Sequence, residues 1–155
     1  MGEGTTEKAP SHRRVVIGPG ETGQGVVVSD ASLGPREGGR VELTELWRVE
    51  DELGSAFEGG DPANDPWQMV PSPGGFAWRI VRWTTSSPKM HQTDTLDLLT
   101  VLDGQIEIEY ETGRVRLRAG DSLVIQDALH AWHLIDEEPC TVLALMARPK
   151  GGQEE

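Results

Sequence analysis

The stretch Gln105-Ile106-Glu107-Ile108-Glu109-Tyr110-Glu111-Thr112-Gly113-Arg114-Val115-Arg116-Leu117-Arg118 decides the fold class. Ile106, Ile108 and Tyr110 alternate with Gln105, Glu107 and Glu109, the period of two that gives a strand one buried face and one wet face. Thr112-Gly113 then interrupts the pattern where glycine can supply the positive φ of a tight hairpin, and Asp103-Gly104 does the same upstream. Working outward, short apolar runs predict strands over Phe76–Trp83, Asp97–Leu102, Gln105–Glu111, Arg114–Arg118, Ser122–Gln126, Ala131–Ile135 and Thr141–Ala147. So many short strands in succession imply an all-β barrel or sandwich.

Earlier runs near Arg14–Ile17, Gly25–Ser29 and Val41–Trp47 predict extra N-terminal strands. The 19 glycines and 10 prolines fall between apolar runs, and no good amphipathic helix is visible. Glu50 to Gly75 is rich in proline and acidic residues and carries Gly59-Gly60. It is expected to be a long surface connection with one turn of helix, placed to cover a pocket mouth. A length of 155 residues suits one core: a polar, mobile head over 1–12, a single domain over 13–150 with its barrel core at about 76–148, and a mobile tail over 151–155.

Charge narrows the partners. Twenty-six acidic against 14 basic side chains give a net charge of -12, a field that repels nucleic-acid backbones. An anionic substrate would need a local positive group inside the pocket. Cys140 is the only cysteine, so no intrachain disulfide is possible, and its apolar flanks mark it as structural. No signal peptide and no apolar run near the roughly 20 residues of a membrane helix are visible, so no membrane association and a cytoplasmic location are expected.

His91-Gln92-Thr93-Asp94-Thr95-Leu96-Asp97, followed by Gly104, resembles the first sequence motif of the cupin superfamily. Gly120-Asp121-Ser122-Leu123-Val124-Ile125 with His130-Ala131-Trp132 resembles the second, in the expected order and spacing. The resemblance implies a double-stranded β-helix, the jelly-roll barrel. It departs from the common pattern in several places: Thr93 stands where a histidine is usual, Asp97 for glutamate, Leu134 for asparagine and Asp127 for a turn glycine. The whole is similar to a small-molecule cupin subgroup with His-x-Thr-x-Thr-x-Asp. The strands around Val26–Val28 and Val41–Leu46 resemble segments that cupins pack across a partner, which implies a homodimer.

Side chains two apart on a strand share a face, so His91, Thr93, Thr95 and Asp97 are expected inside the barrel with His130, Trp132 and Leu134, while His133 faces away. Two imidazoles and a carboxylate are the smallest set that holds a divalent iron, manganese or zinc ion, making His91, Asp97 and His130 candidate metal ligands. Without metal, the same three residues are candidate general acids and bases. Thr93, Thr95 and Trp132 are expected to contact a small-molecule substrate. Arg79 and Arg82 have opposite parity, so one should point inward, where it could clamp a carboxylate. The preferred reading is an enzyme of small-molecule metabolism doing non-redox proton transfer in a dehydration, isomerisation, decarboxylation or cyclisation. A metal-dependent oxygenase and a non-catalytic binding or sensor module are the alternatives.

Overall fold

A computed structural model describes residues 11–36, 41–50 and 60–151. Among the described residues eleven antiparallel strands follow in order: β1 (His12–Pro19), β2 (Gly25–Leu33), β3 (Val41–Val49), β4 (Phe76–Trp83), β5 (Ser87–His91), β6 (Leu96–Asp103), β7 (Gln105–Tyr110), β8 (Gly113–Arg118), β9 (Ser122–Gln126), β10 (His130–Leu134) and β11 (Cys140–Ala147). A five-stranded sheet has the order β3-β4-β11-β6-β9, a four-stranded sheet the order β5-β10-β7-β8, and β1-β2 form a separate hairpin. Strands distant in sequence sit side by side, β11 between β4 and β6 and β10 between β5 and β7, which is jelly-roll connectivity.

The inward residues of both sheets make one core. Val81, Trp83, Leu99, Val101, Ile125, Cys140 and Val142 from the larger sheet pack against Ile106, Ile108, Leu117 and Trp132 from the smaller. Ile106 and Ile108 are buried as their alternation predicts, but Tyr110 is exposed at the strand end. The β6–β7 hairpin turns at Gly104, whose φ is +81°, and a Cβ there would lie 2.4 Å from the Pro139 carbonyl oxygen. Glycine is therefore required for two reasons at once.

Two expectations need correction. β5 was absent from the strand pattern because Ser87-Pro88-Lys89-Met90-His91 has neither alternation nor an apolar run; register with β10 makes it a strand. His12 belongs to β1 and not to a mobile head. The rest of the expected head (1–10), the expected tail (152–155) and residues 51–59 of the long connection lie outside the described residues.

Segment 61–71 contains the expected helical turn, a 3-10 turn at Pro62–Asn64. Otherwise it lacks regular structure, and arginines of the barrel satisfy its carbonyls. Arg36 donates to the oxygens of Ala63 (2.9 Å) and Asp65 (2.8 Å), Arg48 to Pro66 (3.2 Å), Arg79 to Gln68 and Met69 (both 2.5 Å), and Arg148 to Pro71 (3.4 Å). Arg14 pairs with the Asp61 carboxylate, which also caps the 3-10 turn. Backbone that makes no ladder must find partners elsewhere, and here guanidinium groups fix it against the barrel.

Candidate functional site

His91 and His130 occupy directly opposed positions on β5 and β10, and their rings lie 4.3 Å apart, centroid to centroid. Each Nδ1 faces a carbonyl two residues earlier: His91 toward Lys89 at 3.1 Å and His130 toward Ala128 at 2.8 Å. A carbonyl can only accept, so Nδ1 carries the proton in both rings, and in a neutral ring Nε2 keeps the lone pair. The turn before β10 depends on Asp127, which adopts the left-handed conformation (φ 45°) expected of the residue replacing glycine. Gln92 donates to both the carbonyl and the carboxylate of Asp127, each at 2.9 Å, tying the segment after His91 to the turn before His130.

The expected common face of His91, Thr93, Thr95 and Asp97 holds, though not along one strand. The chain leaves the smaller sheet at His91 and enters the larger at Leu96, while burial still alternates: Thr95 and Asp97 are buried, Gln92, Asp94 and Leu96 exposed. Thr95 donates to Asp97 Oδ1 at 2.7 Å, and Thr93 and Thr95 hydroxyls are 2.7 Å apart. With the Thr95 proton given to Asp97, Thr93 is the donor to Thr95. The two threonines thus hold the Asp97 carboxyl, a use of their hydroxyls different from the substrate contact expected of them.

Burial pushes the Asp97 carboxyl up from the ordinary carboxylate range, opposed by the Thr95 hydrogen bond and by the charges of His130, His91 and Arg79. Burial also pulls His130 down, with the nearby His91 adding to this and the Ala128 carbonyl and Asp97 opposing it. The acid is made weaker and the base less easily charged, so the two are drawn toward each other in proton affinity.

The remaining expected site residues divide. Trp132 is buried between Trp83 (centroids 4.7 Å apart) and His130 (5.3 Å, edge-on), as part of the core. His133 sits on the opposite face, 3.9 Å from Glu109, as expected. Of the two arginines, Arg79 points inward, but its donors are taken: Nε by Glu45 at 2.8 Å and the Nη atoms by Gln68 and Met69 carbonyls. Arg82 points outward to Glu42. Arg79 is thus engaged at all three of its nitrogens, and Arg82 is directed away from the interior. Glu45 and Arg48, both with buried side chains, were not singled out in the sequence because they lie in a strand read only for its apolar residues.

The residues do not close into a metal-ligand set. Among the described residues, no group of three or more His, Cys, Asp and Glu side chains is placed to hold a metal ion. The two bare Nε2 atoms are suitable donors, but the third candidate, Asp97, is engaged by Thr95 and favours its protonated form more than an ordinary carboxylate does.

This two-sheet barrel with paired motif histidines defines a class of protein, and residues 80–146 match the family model described as Cupin domain. The matched stretch, from β4 into β11, is a cupin domain. The chain is similar in fold to the cupin domain of Schizosaccharomyces pombe Cnp3, at 10% identity and a TM-score of 0.53, covering 88% of this chain and 87% of that one. Two bacterial structures also match: a cupin 2 conserved barrel protein from Salinispora arenicola (16% identity, 73% and 80% coverage, TM-score 0.48) and a cupin-2 domain protein from Shewanella frigidimarina (21%, 47% and 71%, 0.42). No curated protein matches the sequence. Among the described residues no helix is long and apolar enough to cross a membrane.

Proposed function

We propose that the protein is an enzyme of small-molecule metabolism that moves protons without redox chemistry, in a dehydration, isomerisation, decarboxylation or cyclisation. The observation that carries this reading is the pair of imidazoles with Nδ1 tied to carbonyls and Nε2 bare, beside a buried carboxyl of raised proton affinity. His130, kept neutral by burial, is the base that takes a proton at Nε2. Asp97, held by Thr95, is the group that returns one or stabilises the imidazolium once formed. His91, facing His130, is the second acceptor and fixes the substrate by a hydrogen bond to its own Nε2. No step is routed through a metal.

The test is carbon-bound proton exchange in D2O, followed by NMR with pyruvate, 2-oxobutyrate, acetoacetate and dihydroxyacetone as probes. Wild type is expected to label at least one probe well above buffer, and His130→Gln and Asp97→Asn to slow that labelling by roughly a hundred- to ten-thousandfold. Labelling at the buffer rate for every probe, or variants as fast as wild type, would sink the reading.

A further inference from the structure

β3 contains a β-bulge. Glu45 pairs with Arg79 and Trp47 with Trp78, so one extra residue sits between them. Glu45 and Arg48 are three apart and on a regular strand would face opposite sides. Across the bulge they face the same side, Glu45 opposite Arg79 and Arg48 opposite Ala77, two of the buried, inward residues of β4. Bulges re-aim side chains and are over-represented beside active sites. The consequence is a row of inward positions running Arg48, Ala77, Met146, Asp97 across β3, β4, β11 and β6. Arg48 and Asp97 are three strand spacings apart on that row, about 14 Å at the backbone and less between side chains.

The side chains brought in by the bulge are not fully engaged. Arg48 is 3% exposed; its Nε lies against the Glu50 carboxylate and its Nη2 donates to Pro66, while Nη1 is buried with no hydrogen-bond partner. Glu45 is 1% exposed; its Oε2 accepts from Arg79, while Oε1 is buried with no partner. An open donor on a cation and an open acceptor on a carboxyl therefore lie on neighbouring inward positions of one strand. Buried polar groups are normally satisfied, and each exception calls for an explanation such as a catalytic role or a missing partner. The Arg48 guanidinium is the inward cation here, with the Glu50 carboxylate at its Nε and the Asp65 carboxylate 3.9 Å from its Nη2.

We propose that Arg48 and Glu45 form the specificity end of the interior site, and that the site takes a small hydroxycarboxylate. Its carboxylate accepts from Arg48 Nη1 and its hydroxyl donates to Glu45 Oε1, leaving the adjoining carbon directed along the row toward Asp97 and the two histidines. The proposal rests on the reading of that interior as the reaction site and adds the substrate class to it.

The experiment is ligand-observed NMR on the full chain with 4-hydroxybutyrate, butyrate and 4-hydroxybutyramide, together with the imidazole resonances of His91 and His130. The expected order of affinity is 4-hydroxybutyrate, then butyrate, with the amide at least tenfold weaker than the hydroxy acid. Arg48→Gln is expected to erase the preference for acid over amide and Arg48→Lys to keep part of it. The wild-type comparison of acid with amide stands without any variant. Equal binding of acid and amide, or binding of none, overturns the proposal. If the amide binds as well as the acid and the imidazole signals still move, the carboxylate assignment fails while the interior reaction site survives. If the acid binds through Arg48 with the imidazole signals unmoved, the two ends do not share one site and the proposal is overturned.

Discussion

His130 is uncharged at a cost that acid reveals. The residue is 4% exposed, and burial lowers its proton affinity below that of an unfolded histidine. A group whose folded pKa is depressed contributes stability that is present above the unfolded value, about 6.5, and lost as pH falls through the folded value. Asp97 and Glu45 act in the opposite sense. Burial raises both, so their contribution is present below the ordinary carboxylate range and lost as pH rises through their folded values. The difference between wild type and His130→Gln isolates the histidine. Thermal melts at pH 7 and pH 5 are expected to show wild type losing more stability than the variant on acidification; equal losses would place the imidazole in solvent. Cys140, by contrast, is raised to about 11 by burial and stays an inert thiol at neutral pH.

At the scale of elements, connections matter more than strands. The β6–β7 hairpin turns where Gly104 combines a φ of +81° with a backbone neighbour that leaves no room for a Cβ. Gly104→Ala is therefore expected to cost about 2–4 kcal/mol, the sum of left-handed strain and a forced backbone shift. Urea denaturation checks it, and a loss under about 0.5 kcal/mol, the usual scatter of surface substitutions, would show that the turn relaxes freely. The bulge in β3 is the element-scale feature with most consequence for the site, since it alone puts Arg48 on the inner face. Segment 61–71 is the other: a stretch without ladder bonds, held closed by Arg14, Arg36, Arg48, Arg79 and Arg148.

At the scale of the molecule, the apolar residues left outside are concentrated. Val15, Ile17, Val26, Val27 and Val28 on the β1–β2 hairpin and Trp78, Leu98 and Val124 on the outer face of the larger sheet are each at least 39% exposed. A groove of about 480 Å³ lies between the two, lined by Val15, Ile17, Trp47, Trp78 and Leu145 among others. A two-stranded hairpin is marginal alone, and apolar patches of this kind mark association surfaces. We propose that a second copy of the chain covers this face, with the hairpin as the projecting part. The part of the expected contact around Thr44–Leu46 is buried within the chain, leaving Val26–Val28 as the exposed part. Sedimentation at micromolar concentration is expected to give twice the 16.9 kDa chain mass, and Val27→Lys with Leu98→Lys to give the monomer. A wild-type monomer would remove the proposal.

The sequence by itself determined most of the barrel, because a period of two and a turn residue are local properties that read directly as strand and hairpin. Phe76–Trp83 and Ser122–Gln126 form over the residues their patterns mark. The two motifs likewise marked His91 and His130 as facing one another, and their rings do meet. Only the tertiary structure decided the rest. β5 exists through its pairing with β10 and has no pattern of its own. Arg79 faces inward as one of the two arginines had to, but whether its donors were free depended on Glu45 and on carbonyls from a distant loop. Arg48 reaches the interior because one extra residue in β3 reverses the parity that sequence counting assumes. Periodicity is set by the backbone of a single strand, whereas bulges, ion pairs and open hydrogen-bonding atoms are set by what the neighbouring strands and loops supply.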